Sequence, residues 1–392
     1  MHILVAPDSY KGSLSAGEAA EAMARGILAV FPEARVSRLP IADGGEGLVQ
    51  TLVEATNGLY RHSVVSGPDM RPVTARWGIL GNADTAVVEM AAASGLPLIP
   101  AFRRDPATAT SRGTGQIIKE ILDARIPRLI LGIGGSATND AGVGASAALG
   151  VRFLDEQGLP LPEGGAALAR LACIDPGGLD PRLADLEILV ACDVDNPLCG
   201  PVGATAVFGP QKGVAPEQIP VLDAALRRFS EIAAKATGRS VADIPGAGAA
   251  GGLGAALLFF TPAVLRPGIE VVLEAIGFAG HLESADLVIT GEGLTDAQTA
   301  RGKAPVGVAR AAQAAGKPVV CLSGGLGPGY QDIFLQGVSA AMPVPPLCMT
   351  LEECMAAGAP LLEEAAARLC RILKAGLDMG KSPGLAKKEN LG

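Results

Sequence analysis

Leu129-Ile-Leu-Gly-Ile-Gly-Gly-Ser-Ala-Thr-Asn-Asp-Ala-Gly-Val-Gly144 decides the reading of this chain. Leu129 to Ile133 is an apolar run of strand length. Gly134, Gly135, Ser136, Thr138, Asn139 and Asp140 follow it, and Ala141 to Leu149 reads as a small-residue helix. The order is strand, glycine turn, helix start. Glycines let backbone N–H groups converge, and a helix N-terminus offers unpaired donors with positive partial charge. Such a turn suits an anion, above all a phosphate.

Working outward, the same rhythm recurs at both ends of the chain. Ile3 to Ala6 reads as a buried strand and Ser15 to Phe31 as a helix, with Ser15 and Glu18 spaced as a capping box. Arg35 to Ile41 and Leu48 to Thr56 add a second strand and helix. From Leu287 onward, strand and helix alternate again. Between them, His62 to Ser66, Val73 to Leu80 and Thr85 to Met90 are short strands expected to pair antiparallel. These patterns give an α/β fold: a doubly wound, parallel-sheet, Rossmann/flavodoxin-like domain (1–56 plus 272–392), a second, inserted α/β domain (57–271), and a cleft between them. The polar tail from Lys381 to Gly392 is expected to fray.

Bulk composition narrows the function classes. The 392 residues are 49% hydrophobic but only 3% aromatic, and 52 are Gly, which favours layered α/β structure with tight loops. A net charge of −8 argues against nucleic acid as a partner. Seven cysteines with no CxxC pair argue against a disulfide framework or zinc site and fit a reducing, cytoplasmic compartment. The chain opens without the features of a signal peptide, and no apolar run is long enough to span a membrane.

Five loops at predicted strand ends combine Gly with charged or polar residues: Asp8/Ser9/Lys11, Asp43/Glu46, Ser136/Asn139/Asp140, Asp193/Asp195 and Glu292/Asp296. Singly, each reads as an ordinary turn; together they describe a polar site whose carboxylates hold Mg²⁺ or accept a proton. Lys11, Lys212 and Lys303 are loop cations suited to phosphate, with a solvated lysine as the plain alternative. Ser111, Arg112 and Thr114 precede a helix; Arg112 can fork onto a carboxylate, and an equally simple reading is a capped helix start. Gly246, Gly248 and Gly251 spell GxGxxG, but no strand precedes them, so the segment reads as a glycine-rich helix start and not as a dinucleotide site.

The blocks Ala6–Ser15, Ala42–Gly47, Met90–Leu96, Thr110–Gly115, Gly132–Asp140, Ala191–Leu198, Phe208–Gly213, Pro245–Gly254 and Val288–Gly293 resemble, in order, the bacterial type I glycerate kinase family. That resemblance implies a two-domain enzyme that phosphorylates D-glycerate with ATP and Mg²⁺, with 2-phosphoglycerate favoured over 3-phosphoglycerate and a homodimer as the assembly considered. The expected roles are catalysis by Asp8, Lys11 and Asp193 and substrate binding by Ser111, Arg112 and Thr114. Gly134, Gly135, Ser136, Asn139 and Lys212 are expected to bind nucleotide, and Asp43, Asp195, Glu292 and Asp296 to contact metal. Alternatives are a kinase for another small hydroxy acid and a non-catalytic sugar-acid-binding relative. Two departures stand out: Ala141 replaces a family glycine, and Leu294 replaces a family arginine. If the family glycine has positive φ, alanine there costs roughly 1 kcal/mol.

Overall fold

In the computed structural model, which describes residues 1–380, thirteen strands follow the chain. They are β1 (His2–Pro7), β2 (Arg35–Arg38), β3 (Leu59–Ser66), β4 (Pro72–Ile79), β5 (Thr85–Glu89), β6 (Arg128–Gly132) and β7 (Arg152–Leu154). Then come β8 (Cys173–Asp175), β9 (Glu187–Ala191), β10 (Val264–Arg266), β11 (Leu287–Thr295), β12 (Val319–Leu326) and β13 (Ala340–Pro343). The expected frayed tail lies outside the described residues.

The described residues pack as two compact units, one holding residues 1–42 and 273–380, the other Asp43–Val272. The first junction therefore falls ahead of the expected residue 56. The physical reason is the helix Leu48–Ala55, whose buried Val49 and Val53 lie against Gly78 of β4 in the second unit.

In the first unit the strand order is β13-β12-β11-β1-β2, parallel throughout. Every residue of β1 is buried, as a strand covered on both faces must be. Its core joins Ile3, Val5, Ile289 and Leu322 to Met23, Ile27, Leu362 and Leu369 from the covering helices. The helices Ala16–Val30 and Gly358–Gly380 cross closely: a Cβ at Gly26 would lie 2.1 Å from the Glu363 carbonyl oxygen. The capping box forms as expected, with the Ser15 hydroxyl accepting from the Glu18 N–H.

In the second unit the order is β10-β9-β6-β5-β4-β3. β3 pairs antiparallel with β4, and β4 with β5, but β5 runs parallel to β6. The three early strands pair antiparallel with one another as expected, and β5 also joins the parallel part of the sheet through β6. β5 is buried except at its last residue, and so belongs to the parallel layer. Leu129 and Leu131 of β6 are fully buried and pack with Ile117, Ile121, Ile188 and Val190. A second core gathers Phe153, Phe229, Phe259 and Phe260, with ring centroids 5.8 to 6.4 Å apart.

Candidate functional site

The opening stretch folds as a strand, a glycine turn and a helix. β6 ends at Gly132, and Gly134 and Gly135 are exposed. Gly135 has φ +72°, a conformation that glycine adopts at little cost. Its carbonyl accepts from Leu96 N, and the Ala137 N–H donates to the Ser94 carbonyl, both at 2.9 Å, so the turn is tied to a neighbouring segment. The chain then dives inward. Thr138, Asn139 and Asp140 are fully buried, and the helix runs Val143–Ala148, two residues later than expected, because Ala141 and Gly142 are both left-handed. The glycine-rich segment packs underneath: Gly251 accepts from Ala141 N at 2.9 Å, and a Cβ on Gly251 would lie 2.0 Å from the Thr138 carbonyl oxygen.

Asp140 is the staple of this turn. Its Oδ2 accepts from Ser111 N and Oγ, each at 2.8 Å, and from Gly144 N at 3.2 Å; its Oδ1 accepts from Gly142 N at 3.1 Å. Burial raises its pKa, and the hydrogen bonds from Ser111, Gly144 and Gly142 oppose that rise. In this arrangement Ser111, one of the residues expected to bind substrate, is hydrogen-bonded inward. Its hydroxyl donates to Asp140 and accepts from Ala145 N at 3.0 Å, so it is committed to the protein interior. Thr114 is likewise buried, its hydroxyl 2.9 Å from that of Ser94. Arg112 remains partly open. Its Nη1 donates to Glu163 Oε1 at 2.6 Å, and Thr110 Oγ1 donates to the other oxygen at 2.5 Å.

Lys212 ends the helix Ala204–Lys212 and is only 2% exposed. Its Nζ donates to Ser136 Oγ and to the Thr138 carbonyl, each at 2.7 Å. Burial pushes it down to about 7, and the charge of Asp140 acts the other way. Asn139 donates from Nδ2 to Thr205 Oγ1 at 3.0 Å on the same helix, so its side chain faces inward.

At the end of β9, Asp193 keeps exposed surface, yet the protein around its carboxylate removes enough water to push it up to about 6. The Gly268 N–H, donating to Oδ1 at 2.8 Å, works against that shift, and the charge of Asp43 adds to it. Asp43 accepts from Gly45 N at 3.3 Å, and Asp195 is exposed.

In the first unit, β1 delivers buried Asp8, whose Oδ1 accepts from Ser9 N at 2.6 Å, and exposed Lys11. Tyr10 donates its phenol to the Leu322 carbonyl at 2.6 Å. β11 delivers buried Glu292, whose Oε1 accepts from Thr295 at 2.9 Å and Thr299 at 2.7 Å; burial raises its pKa. Thr295 also meets Ser323 at 2.7 Å. Asp296 accepts from Gln298 N at 2.8 Å and turns the chain beyond β11. Among the described residues, no three His, Cys, Asp or Glu side chains gather as a metal cluster.

The glycerate kinase family profile matches residues 3–374. The glycerate kinase of Bacillus subtilis (strain 168) is 50% identical over 374 residues, 95% of this chain and 98% of that protein. The chain belongs to the glycerate kinase family. The glycerate 2-kinase of Escherichia coli (strain K12) is 48% identical, over 90% of this chain and 93% of its own length. A solved structure from Salmonella typhimurium LT2, of a protein named as a candidate glycerate kinase 2, superposes with a TM-score of 0.88 at 47% identity, covering 96% and 99% of the two chains.

Within this family member, two residues of the site escaped the sequence reading. Glu163 carries no motif around it; only its position against Thr110 and Arg112 reveals it. Glu89 accepts from Val49 N at 2.8 Å and anchors the start of the helix Leu48–Ala55. The strand-end position of Glu89 was the available signal. Ala141, expected to stand where the family has glycine, has φ +54°.

Proposed function

We propose that this enzyme transfers the γ-phosphoryl group of ATP to D-glycerate, with the C2 hydroxyl as acceptor, as a type I member of its family. The observation that carries the reading is the exposed Gly134–Gly135 turn, ending a buried parallel strand and leading toward a helix. Its backbone, with that of Ser136, is the proposed cradle for the nucleotide phosphates.

Phosphoryl transfer depends mainly on positioning and charge neutralisation. In this scheme the glycerate hydroxyl oxygen attacks the γ-phosphorus, the bond to the ADP oxygen breaks, and the hydroxyl proton passes to Asp193. A carboxylate pushed up to about 6 is ionised at neutral pH and is still basic enough for that task. Arg112 is the proposed clamp for the glycerate carboxylate, exchanging its Glu163 partner for the substrate. Asp8 and Lys11 remain the first unit's candidates for metal contact and for offsetting phosphoryl charge.

Mg²⁺ is proposed to accompany ATP and would neutralise phosphate charge. Asp43, Asp195, Glu292 and Asp296 are the carboxylates proposed to contact it. The lack of a preformed carboxylate cluster among the described residues suits an ion held chiefly by phosphate and water. Glu292 Oε1 would have to yield at least one of its two threonine hydroxyls to become a direct ligand. A cytoplasmic location and a homodimer are part of the proposal. Among the described residues no helix is long and apolar enough to cross a membrane.

The test is a purified-enzyme panel of small hydroxy acids with ATP, followed by phosphorus NMR of the product. Fast ADP release with D-glycerate alone and a phosphate ester on C2 are expected. A faster reaction with another hydroxy acid, or an ester on C3, overturns the substrate or the position.

A further inference from the structure

Lys212 is a buried basic side chain without a direct countercharge. It is 2% exposed, and both acceptors at its Nζ, the Ser136 hydroxyl and the Thr138 carbonyl, are neutral. The charge acting on it is Asp140, whose two oxygens already take four donors from Ser111, Gly142 and Gly144. Arg104 approaches Gly213, the residue after Lys212, through its backbone and Cβ. Buried charges are normally paired, so an ammonium held this way lacks an anion. Its two acceptors belong to the segment that continues the exposed turn, and Asn139, bonded to Thr205, ties the same segment to the same helix.

We propose that Lys212 is a positioning residue for nucleotide: from beneath the glycine turn it braces Ser136 and Thr138 and supplies the positive charge that a bound phosphate completes. The inference rests on the reading of Gly134–Ser136 as the phosphate cradle and adds to it a second role, proton linkage. Burial pushes the empty-site lysine down to about 7, toward its neutral form. A phosphate placed above Ser136 favours the ammonium form, and binding then draws in a proton.

The experiment has three variants and two readouts. Lys212→Met keeps the apolar stem and removes the charge, Ser136→Ala removes only the hydroxyl acceptor, and Gly135→Ala disturbs the turn itself. For each, KM is measured for ATP and for D-glycerate. Calorimetric titration with ATP and Mg²⁺ at pH 8, in two buffers of different ionisation enthalpy, counts the protons taken up. Expected are a rise of about tenfold or more in the KM for ATP in Lys212→Met and about threefold in Ser136→Ala, with the KM for glycerate changed less than twofold. Proton uptake of up to one per site is expected in the native enzyme and none in Lys212→Met.

If Gly135→Ala leaves the KM for ATP unchanged, the cradle reading fails and takes this inference with it. If Gly135→Ala raises it while Lys212→Met does not, or if proton uptake persists in Lys212→Met, the inference alone is overturned. Should Lys212→Met fail to fold, Ser136→Ala decides: an unchanged KM for ATP overturns the bracing role.

Discussion

Glu292 in the first unit, inside β11, and Asp140 in the second, beyond the end of β6, are both buried carboxylates, yet they are satisfied in opposite ways. Glu292 is served by Thr295 and Thr299, three and seven residues along the chain. Asp140 draws two donors from Ser111, 29 residues away, and two from the backbone of the helix it introduces. Glu292 is held by local side-chain hydroxyls, which can rotate toward a replacement acceptor. Asp140 is held by three backbone N–H groups from two segments, which cannot, with the Ser111 hydroxyl as the fourth donor. A turn that must hold its shape for a phosphate is better served by the second construction, because preorganised donors need no reordering on binding.

The largest effect should come from Asp140→Ala. It strands the N–H groups of Ser111, Gly142 and Gly144 and the Ser111 hydroxyl in the interior. A loss of about 3 kcal/mol or more is expected, read by urea denaturation. Glu292→Gln should cost about 1 kcal/mol in the same assay, since the amide oxygen still accepts both threonines and the buried charge is gone. Equal losses for the two would erase the contrast.

Ala141→Gly should act in the other direction and gain about 1 kcal/mol, because φ +54° strains alanine and not glycine. A loss there would mean that the methyl's packing outweighs the strain. The smallest change in fold, though not in rate, is expected from Asp193→Asn. Because the native carboxyl is pushed up to about 6, activity that needs the carboxylate should rise as pH climbs through about 6 and be lost as pH falls below it. The Asn variant should lose turnover by about a hundredfold or more, and the pH limb with it, with no loss of stability near pH 7, because the charge it removes is one that burial disfavours.

The contrast also explains what could be read from the chain. The Ser15–Glu18 capping box, the buried strands at Ile3 and Leu129 and the glycine turn are local patterns, and each appears in the structure close to its expected place. Glu292 was expected in a loop after a strand ending at Thr290, but β11 runs on to Thr295 and holds it inside the ladder, paired with Ser323, because the strand continues beside β12. The tie between Asp140 and Ser111 could not be read from the chain, since nothing in residues 110–115 distinguishes a hydroxyl turned toward substrate from one turned toward a buried acid. Glu163 and the bond from Lys212 to Ser136 are long-range pairings of the same kind. The parallel pairing of β5 with β6 likewise depends on a partner some 40 residues on, which strand texture alone does not reveal.

Hydrogen exchange of the peptide spanning residues 129–144, with and without ATP and Mg²⁺, puts the central claim to its most direct trial. Nucleotide should slow exchange at Gly134, Gly135 and Ser136, the amides assigned to the phosphates, and the slowing should shrink in Lys212→Met. Protection elsewhere in the chain, with this peptide unchanged at saturating ATP, would contradict the account.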